Sequence, residues 1–167
     1  MKIKVKYFDE NMPKLEKIGG EKSDWIDLRV NSIKKFVDRY LGELPIPDVI
    51  DFEDGELRYY AGDVIWFGLG VAMELPKGYE AHIVPRSSIF KQHGLIQTNH
   101  MGIIDESYKG DNDEWIFPAL AMRDGVIHRW DRIAQFRVVE KMPKVNFVEV
   151  KTLGNKDRGG LGSSGRR

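Results

Sequence analysis

Four short stretches combine the residue types that handle a charged substrate. Pro85-Arg86-Ser87-Ser88 sets a guanidinium beside two hydroxyls, donors suited to an anion, although the same residues also suit an ordinary turn at a strand end. Gly102-Ile103-Ile104-Asp105-Glu106-Ser107-Tyr108 puts a carboxylate directly after an apolar run. Partial desolvation there lets it act as a general base, and a turn-capping aspartate explains it as well. Trp130-Asp131-Arg132-Ile133-Ala134-Gln135 surrounds an apolar pair with polar groups. In a regular strand Arg132 and Ala134 share one face while Asp131, Ile133 and Gln135 share the other, and a structural Asp–Arg pair is the simpler account. Arg158-Gly159-Gly160-Leu161-Gly162-Ser163-Ser164-Gly165 is rich in donors and too poor in apolar residues to bury a core. It reads either as a frayed end or as a phosphate-binding lid whose glycines let it move and approach a ligand closely.

The elements that hold these stretches are mostly strands. KIKVKYF (2–8) alternates charged and apolar residues, and WIDLRV (25–30) is a second short strand. Residues 32–42 place Ile33, Phe36, Val37, Tyr40 and Leu41 at helical spacing, with Ser32 as cap and Gly42 as stop, and predict one helix. Pro45 and Pro47 lead into the acidic DVIDFEDGE. From residue 56 onward ELRYYA, DVIWFGLGVAMEL, YEAHIVPRSS, LIQTNHMGIID, EWIFPALAMRD, VIHRWDRIAQFRVVEK and NFVEVKTL follow one another. They are short β-branched or aromatic runs divided by Gly, Pro and Asp turns. That pattern predicts an all-β sandwich or barrel.

The 167 residues suit a single domain with its own core. Lys+Arg and Asp+Glu both number 26, which argues against a general polyanion binder and leaves a local anion site open. The absence of cysteine removes disulfides and thiolate metal ligands. No apolar run approaches the roughly 18 residues of a membrane span, so a cytoplasmic protein is expected, without nucleic-acid or membrane partners. His82, His93, His100 and His128 are scattered without metal-ligand spacing, and no His-x-Glu accompanies a cysteine pair, so a zinc deaminase is unsupported.

Taken in order, SDWIDL (23–28), PRSS (85–88), GIIDESYKG (102–110), WDRIAQ (130–135) and RGGLGSSG (158–165) resemble the five motifs of the homotrimeric dUTPase family, most nearly its Bacillus and Gram-positive phage members. The resemblance implies an all-β, barrel or jelly-roll domain over residues 1–153. It carries a short helical insertion at about 33–60, and residues 154–167 form a mobile Gly-rich arm that closes the site. It also implies hydrolysis of dUTP to dUMP and pyrophosphate, with Asp105 as the general base for the attacking water. Magnesium accompanies the phosphates, with Asp27 touching it through water. Arg86, Ser87, Ser88, Gln135, Arg158, Gly162 and Ser163 contact the phosphates. Asn99 and the backbone from 98 to Ile104 read uracil. Tyr108 packs on the deoxyribose and excludes a 2′-hydroxyl, and three chains share three sites.

Leu161 stands where many members carry a phenylalanine over the base, so Trp115 or Phe117 is expected to stack on uracil, or else to sit in the core. Trp130 stands where glycine is common. Residues 33–60 suggest either a packed cover or a contact for a protein partner. Two further readings therefore stand beside the hydrolase: a regulatory protein that contacts a repressor or host protein, and a dCTP deaminase-like relative.

Overall fold

The computed structural model describes residues 1–17, 23–44 and 55–159. Thirteen strands, β1 Lys4–Tyr7, β2 Ile26–Arg29, β3 Ser32–Asp38, β4 Gly42–Leu44, β5 Glu56–Tyr59, β6 Val64–Gly68, β7 Val71–Glu74, β8 Tyr79–Pro85, β9 Leu95–Gln97, β10 Gly102–Ile104, β11 Ile116–Ala121, β12 Gly125–His128 and β13 Arg132–Glu140, accompany one helix, α1 Ile89–His93. They form a four-stranded sheet in the order β10-β8-β13-β2, a five-stranded sheet in the order β4-β3-β6-β11-β9, and the pairs β1-β7 and β12-β5. The alternating apolar residues of the two larger sheets meet between them: Leu28, Ile83 and Phe136 from the first, Ile65, Phe67 and Phe117 from the second, all buried. The nearly all-β architecture with one short helix is the expected one. No helix among the described residues is long and apolar enough to cross a membrane.

The helix is not where periodicity predicts it. Residues 32–38 form β3, which turns through residues 39–41 into β4, with Asp38 opposite Gly42. A bulge misleads the spacing. Ile33 faces Phe67 and Lys35 faces Trp66, so Lys34 is an extra residue against a single step of the partner strand. Two apolar residues three apart, Ile33 and Phe36, are thereby both buried. The Asp38 carboxylate closes the turn by accepting from the backbone N–H of Tyr40 (2.7 Å) and Leu41 (2.9 Å), and Gly42 takes a φ of +80°. Leu41 and Tyr40 stay exposed at its tip. Most of the acidic segment that follows lies outside the described residues.

The expected strand over NFVEVKTL also does not form. Residues 141–159 run without regular structure, and Phe147, Val148 and Leu153 are 95%, 81% and 82% exposed. Alternating apolar residues with no neighbour to cover them are what a strand looks like without its pairing edge.

Candidate functional site

Three of the predicted stretches converge at one end of the four-stranded sheet. Arg86 follows β8, its N–H donating to the Ile133 carbonyl (3.1 Å), and its Nε donates to Asp27 Oδ1 (3.1 Å). Arg132 donates from the other side to Asp27 Oδ2 (3.1 Å). Gln135 lies directly opposite Asp27 and donates to the Pro85 carbonyl at 3.4 Å. The Asp27 side chain is only 11% exposed, and an ion held between two guanidiniums tolerates that burial. The face assignment for residues 131–135 therefore needs correcting. β13 is irregular between Arg132 and Ala134, Ile133 and Ala134 are both buried, and Arg132 and Gln135 come to the same side, facing Asp27. Asp131 caps the preceding turn, accepting from the His128 N–H (2.8 Å), and Trp130 within it has a φ of +68°, the left-handed conformation that glycine adopts most cheaply.

Ser87 is exposed and Ser88 half-buried between Arg86 and α1, with Ser88 Oγ donating to Gln92 Oε1 (3.1 Å). Arg158 is exposed in the irregular tail, while Leu161, Gly162 and Ser163 lie outside the described residues.

The second group is built on two short edge strands. β9 ends the five-stranded sheet and β10 ends the four-stranded one, so residues 98–101 carry the chain from one sheet to the other instead of closing a paired hairpin. The crossing is tight. Met101 N–H donates to the Asn99 carbonyl (2.6 Å), His100 has a φ of +59°, and Thr98 N–H is anchored on the Pro118 carbonyl (3.0 Å). Asn99 is exposed at the bend, and the outer edges of β9 and β10 offer backbone donors and acceptors that no strand among the described residues uses. Ile104 is half-buried at the end of β10 and Asp105 follows it, exposed. Hydrogen bonds from Ser107, side chain and backbone (N–H to Oδ1, 2.6 Å), hold the Asp105 carboxyl below its ordinary value. The desolvation expected from the apolar run before it is outweighed in this chain. Tyr108 stands beside it, 38% exposed, its N–H donating to the Asp105 carbonyl (3.2 Å); burial of its ring raises the phenol pKa.

Trp115 and Phe117 do not reach either group. Both are fully buried, and Trp115 packs edge-on against Phe136 with ring centroids 5.1 Å apart. Phe117 lies on the inward face of β11 and Trp115 is buried just before that strand, so neither ring offers a free face to a base, and of the two expected places both take the core. Among the described residues no group of three or more His, Asp or Glu side chains is placed to hold a metal ion. Two supporting residues went unnoticed in the sequence: Arg132, beyond its pairing with an aspartate, and Gln97. Gln97 is buried to 7% exposure on the inward side of β9, a polar residue where Leu95 sets an apolar alternation.

Arg86 and Ser87 share a pocket with Gln97 and His100 beside the bend, whereas Asp105 lies at the far end of β10. Ile104 pairs with Ala81, near the start of β8, whereas Arg86 follows its end. At about 3.3 Å per residue, Asp105 and Arg86 are separated by roughly 20 Å along the strand. The bend and Asp105 are linked by β10, whose three residues span about 10 Å, the length of a nucleoside.

A family model described as dUTPase matches residues 56–165. The SPbeta prophage-derived deoxyuridine 5′-triphosphate nucleotidohydrolase YosS of Bacillus subtilis (strain 168) is 49% identical over 167 residues, covering 100% of both chains. Among solved structures, a variant of the Staphylococcus bacteriophage 80alpha dUTPase with dUpNHpp superposes with a TM-score of 0.67 at 16% identity, covering 98% of each chain. A dUTPase variant from phage phi11 of S. aureus, described with a structural Mg(II) ion, gives 0.65 at 14% identity and covers 90% of this chain and 99% of its own. With a family model matched over residues 56–165 and a relative 49% identical along the whole chain, this chain belongs to the dUTPase family.

Proposed function

We propose that the protein hydrolyses dUTP to dUMP and pyrophosphate at sites shared between copies of the chain, in a homotrimer. The observation that carries this reading is the separation of Asp105 from Arg86 along β8. A nucleoside laid along β10 from Asn99 to Asp105 sends its phosphates away from the Arg86 of its own chain, which supports assigning the anion-binding group to a neighbour. The uncovered Phe147, Val148 and Leu153 beyond β13 supply apolar surface for such an association.

In this reading the ionised Asp105 orients a water and takes its proton as the water attacks the α-phosphorus; the bond to the bridging oxygen breaks and pyrophosphate leaves. Arg86, Ser87, Ser88 and Gln135 of the adjoining chain neutralise and position the phosphates. Arg158, Leu161, Gly162 and Ser163 close over them. Tyr108 leaves no room for a 2′-hydroxyl. The edges of β9 and β10, with Asn99, match the carbonyls and N3–H of uracil, a mismatch for cytosine that costs more than a methyl group does.

Magnesium would be held chiefly by the triphosphate and its own waters, which fits the described residues, among which no acidic cluster forms. Both Asp27 oxygens are engaged by arginines, so Asp27 fits an outer contact to a metal-bound water and not a direct ligand. The metal would supply charge neutralisation for the leaving pyrophosphate. The test is pyrophosphate release from dUTP, dCTP, dTTP and UTP with magnesium, in wild type and Asp105→Asn. Release from dUTP alone, abolished in the variant, is expected; turnover that survives the substitution overturns the assignment of the base.

A second, compatible role as a binding protein is favoured by the β3–β4 tip, where Arg39 sits between the rings of Tyr40 and Tyr60 (4.7 and 5.2 Å) and Leu41 is exposed. Retention of a protein partner by Asp105→Asn would separate that role from hydrolysis.

A further inference from the structure

Gln97 occupies an inward position of β9 that an apolar residue would fill more cheaply. Its Oε1 is buried without a hydrogen-bond partner, and such orphaned acceptors are rare enough in folded proteins to need a reason. The other end of the same amide is engaged twice. Nε2 donates to Asn99 Oδ1 at 2.8 Å and, more weakly, to the Ile83 carbonyl at 3.4 Å.

We propose that Gln97 is a positioning residue that fixes the orientation of the Asn99 amide and so sets the preference for uracil over cytosine. The inference rests on the reading of Asn99 as a contact to the base. A backbone carbonyl can only accept. Ile83 therefore selects the amino end of Gln97, and turning that amide over would set oxygen against oxygen. The amino end in turn selects the carbonyl end of Asn99. What remains for a ligand is Asn99 Nδ2, a donor. Uracil presents an oxygen at its 4-position and accepts from it; cytosine presents an amino group there and opposes it. Polarity is thus handed outward from a main-chain group that cannot flip to a surface amide that could. Gly102, paired with Ile83 across the strands, keeps the space open: a Cβ there would stand 3.3 Å from Ile83 Cβ and 3.8 Å from Gln97 Nε2.

The experiment measures kcat/KM for dUTP and dCTP on the assembled enzyme carrying Gln97→Met, Gln97→Glu or Asn99→Ala, with thermal unfolding of each. Gln97→Met removes the orphaned oxygen and should unfold no earlier than wild type. Its Asn99 is free to turn, and the dUTP:dCTP ratio is expected to fall by about tenfold or more, in KM rather than kcat, since a pocket amide of the wrong polarity loses a hydrogen bond and gains a repulsion. Gln97→Glu provides an acceptor for Asn99 Nδ2, turns the Asn99 oxygen toward the base, and should lower the ratio further by raising dCTP turnover. A wild-type ratio in Gln97→Met beside a collapsed ratio in Asn99→Ala overturns the role of Gln97 and leaves the Asn99 reading standing. A wild-type ratio in Asn99→Ala overturns both. Equal losses on the two nucleotides in Gln97→Met indicate a structural effect alone and also overturn the proposal.

Discussion

Two inactive variants should make an active enzyme when their chains are mixed. Asp105→Asn removes the base, and Arg86→Ala removes the principal phosphate ligand; each homo-oligomer is expected to be silent. With roughly 20 Å along β8 between these residues, the proposed site takes Asp105 from one chain and Arg86 from the next. In an equal random mixture each requirement is met about half the time, so about a quarter of all sites carry both intact residues, and the quarter holds for any closed ring of chains. The mixture is prepared by joint refolding of the purified variants, and pyrophosphate release from dUTP is compared with wild type at equal chain concentration. Some 25% of wild-type turnover is the expected outcome, approached as exchange proceeds. If mixed oligomers form, verified with a tag on one variant, and remain silent, both residues serve the same chain's site and the geometric argument for sharing fails.

Asp27→Asn replaces an acceptor for two guanidiniums by a group that can satisfy one of them and opposes the other. With the arginines 24% and 34% exposed, the loss should be about 1–3 kcal/mol in denaturant unfolding, with a higher KM for dUTP; unchanged values would show the triangle to be incidental. Ser107→Ala should let the Asp105 carboxyl rise toward its ordinary value. Because the ionised form is the active one, the acid limb of kcat/KM should move to higher pH with the neutral plateau intact, and a limb that does not move refutes the link. The two tryptophans should differ sharply. Trp115→Ala empties a fully buried site and should cost about 3–5 kcal/mol, whereas Trp130→Gly relieves a left-handed backbone and should cost less than about 1 kcal/mol, both read from urea midpoints.

The strands that carry the site are legible because their apolar residues alternate; β6, β8 and β11 follow the pattern that Ile65, Ile83 and Phe117 establish. The stretches at 23–28, 85–88, 102–110 and 130–135 are legible too, since each sits at a strand end where a turn sets it out. Bulges were not legible. The extra residue at Lys34 converts a period of two into an apparent period near three and counterfeits a helix, and the irregularity at Ile133 moves Arg132 and Gln135 to one side. A single inserted residue inverts every later side chain, and no local propensity marks it. Gln97 escaped for a different reason: its partner, the Ile83 carbonyl, belongs to another sheet, and only the fold brings them together. For Trp115 and Phe117 the sequence leaves stacking and core open, because an aromatic after a polar turn looks the same whether its ring faces ligand or core; the fold takes the core. Leu161 to Ser163 lie outside the described residues.

The Asp27, Arg86 and Arg132 triangle has a consequence for the order of events during synthesis. Its members come from β2, the end of β8 and β13, and Asp27 and Arg132, on the ladder between β2 and β13, are 105 residues apart in the chain. Pairings across such separations close late, because a long loop must be ordered before they form. A ribosome-bound chain that lacks β13 has its first carboxylate without one arginine, and its central sheet without the strand between β8 and β2. On the proposed reading, the phosphate-binding side of the site is therefore complete only once β13 has joined the sheet. A chain without β13 would lack Arg132 and Gln135, and a bound nucleotide would favour the finished fold.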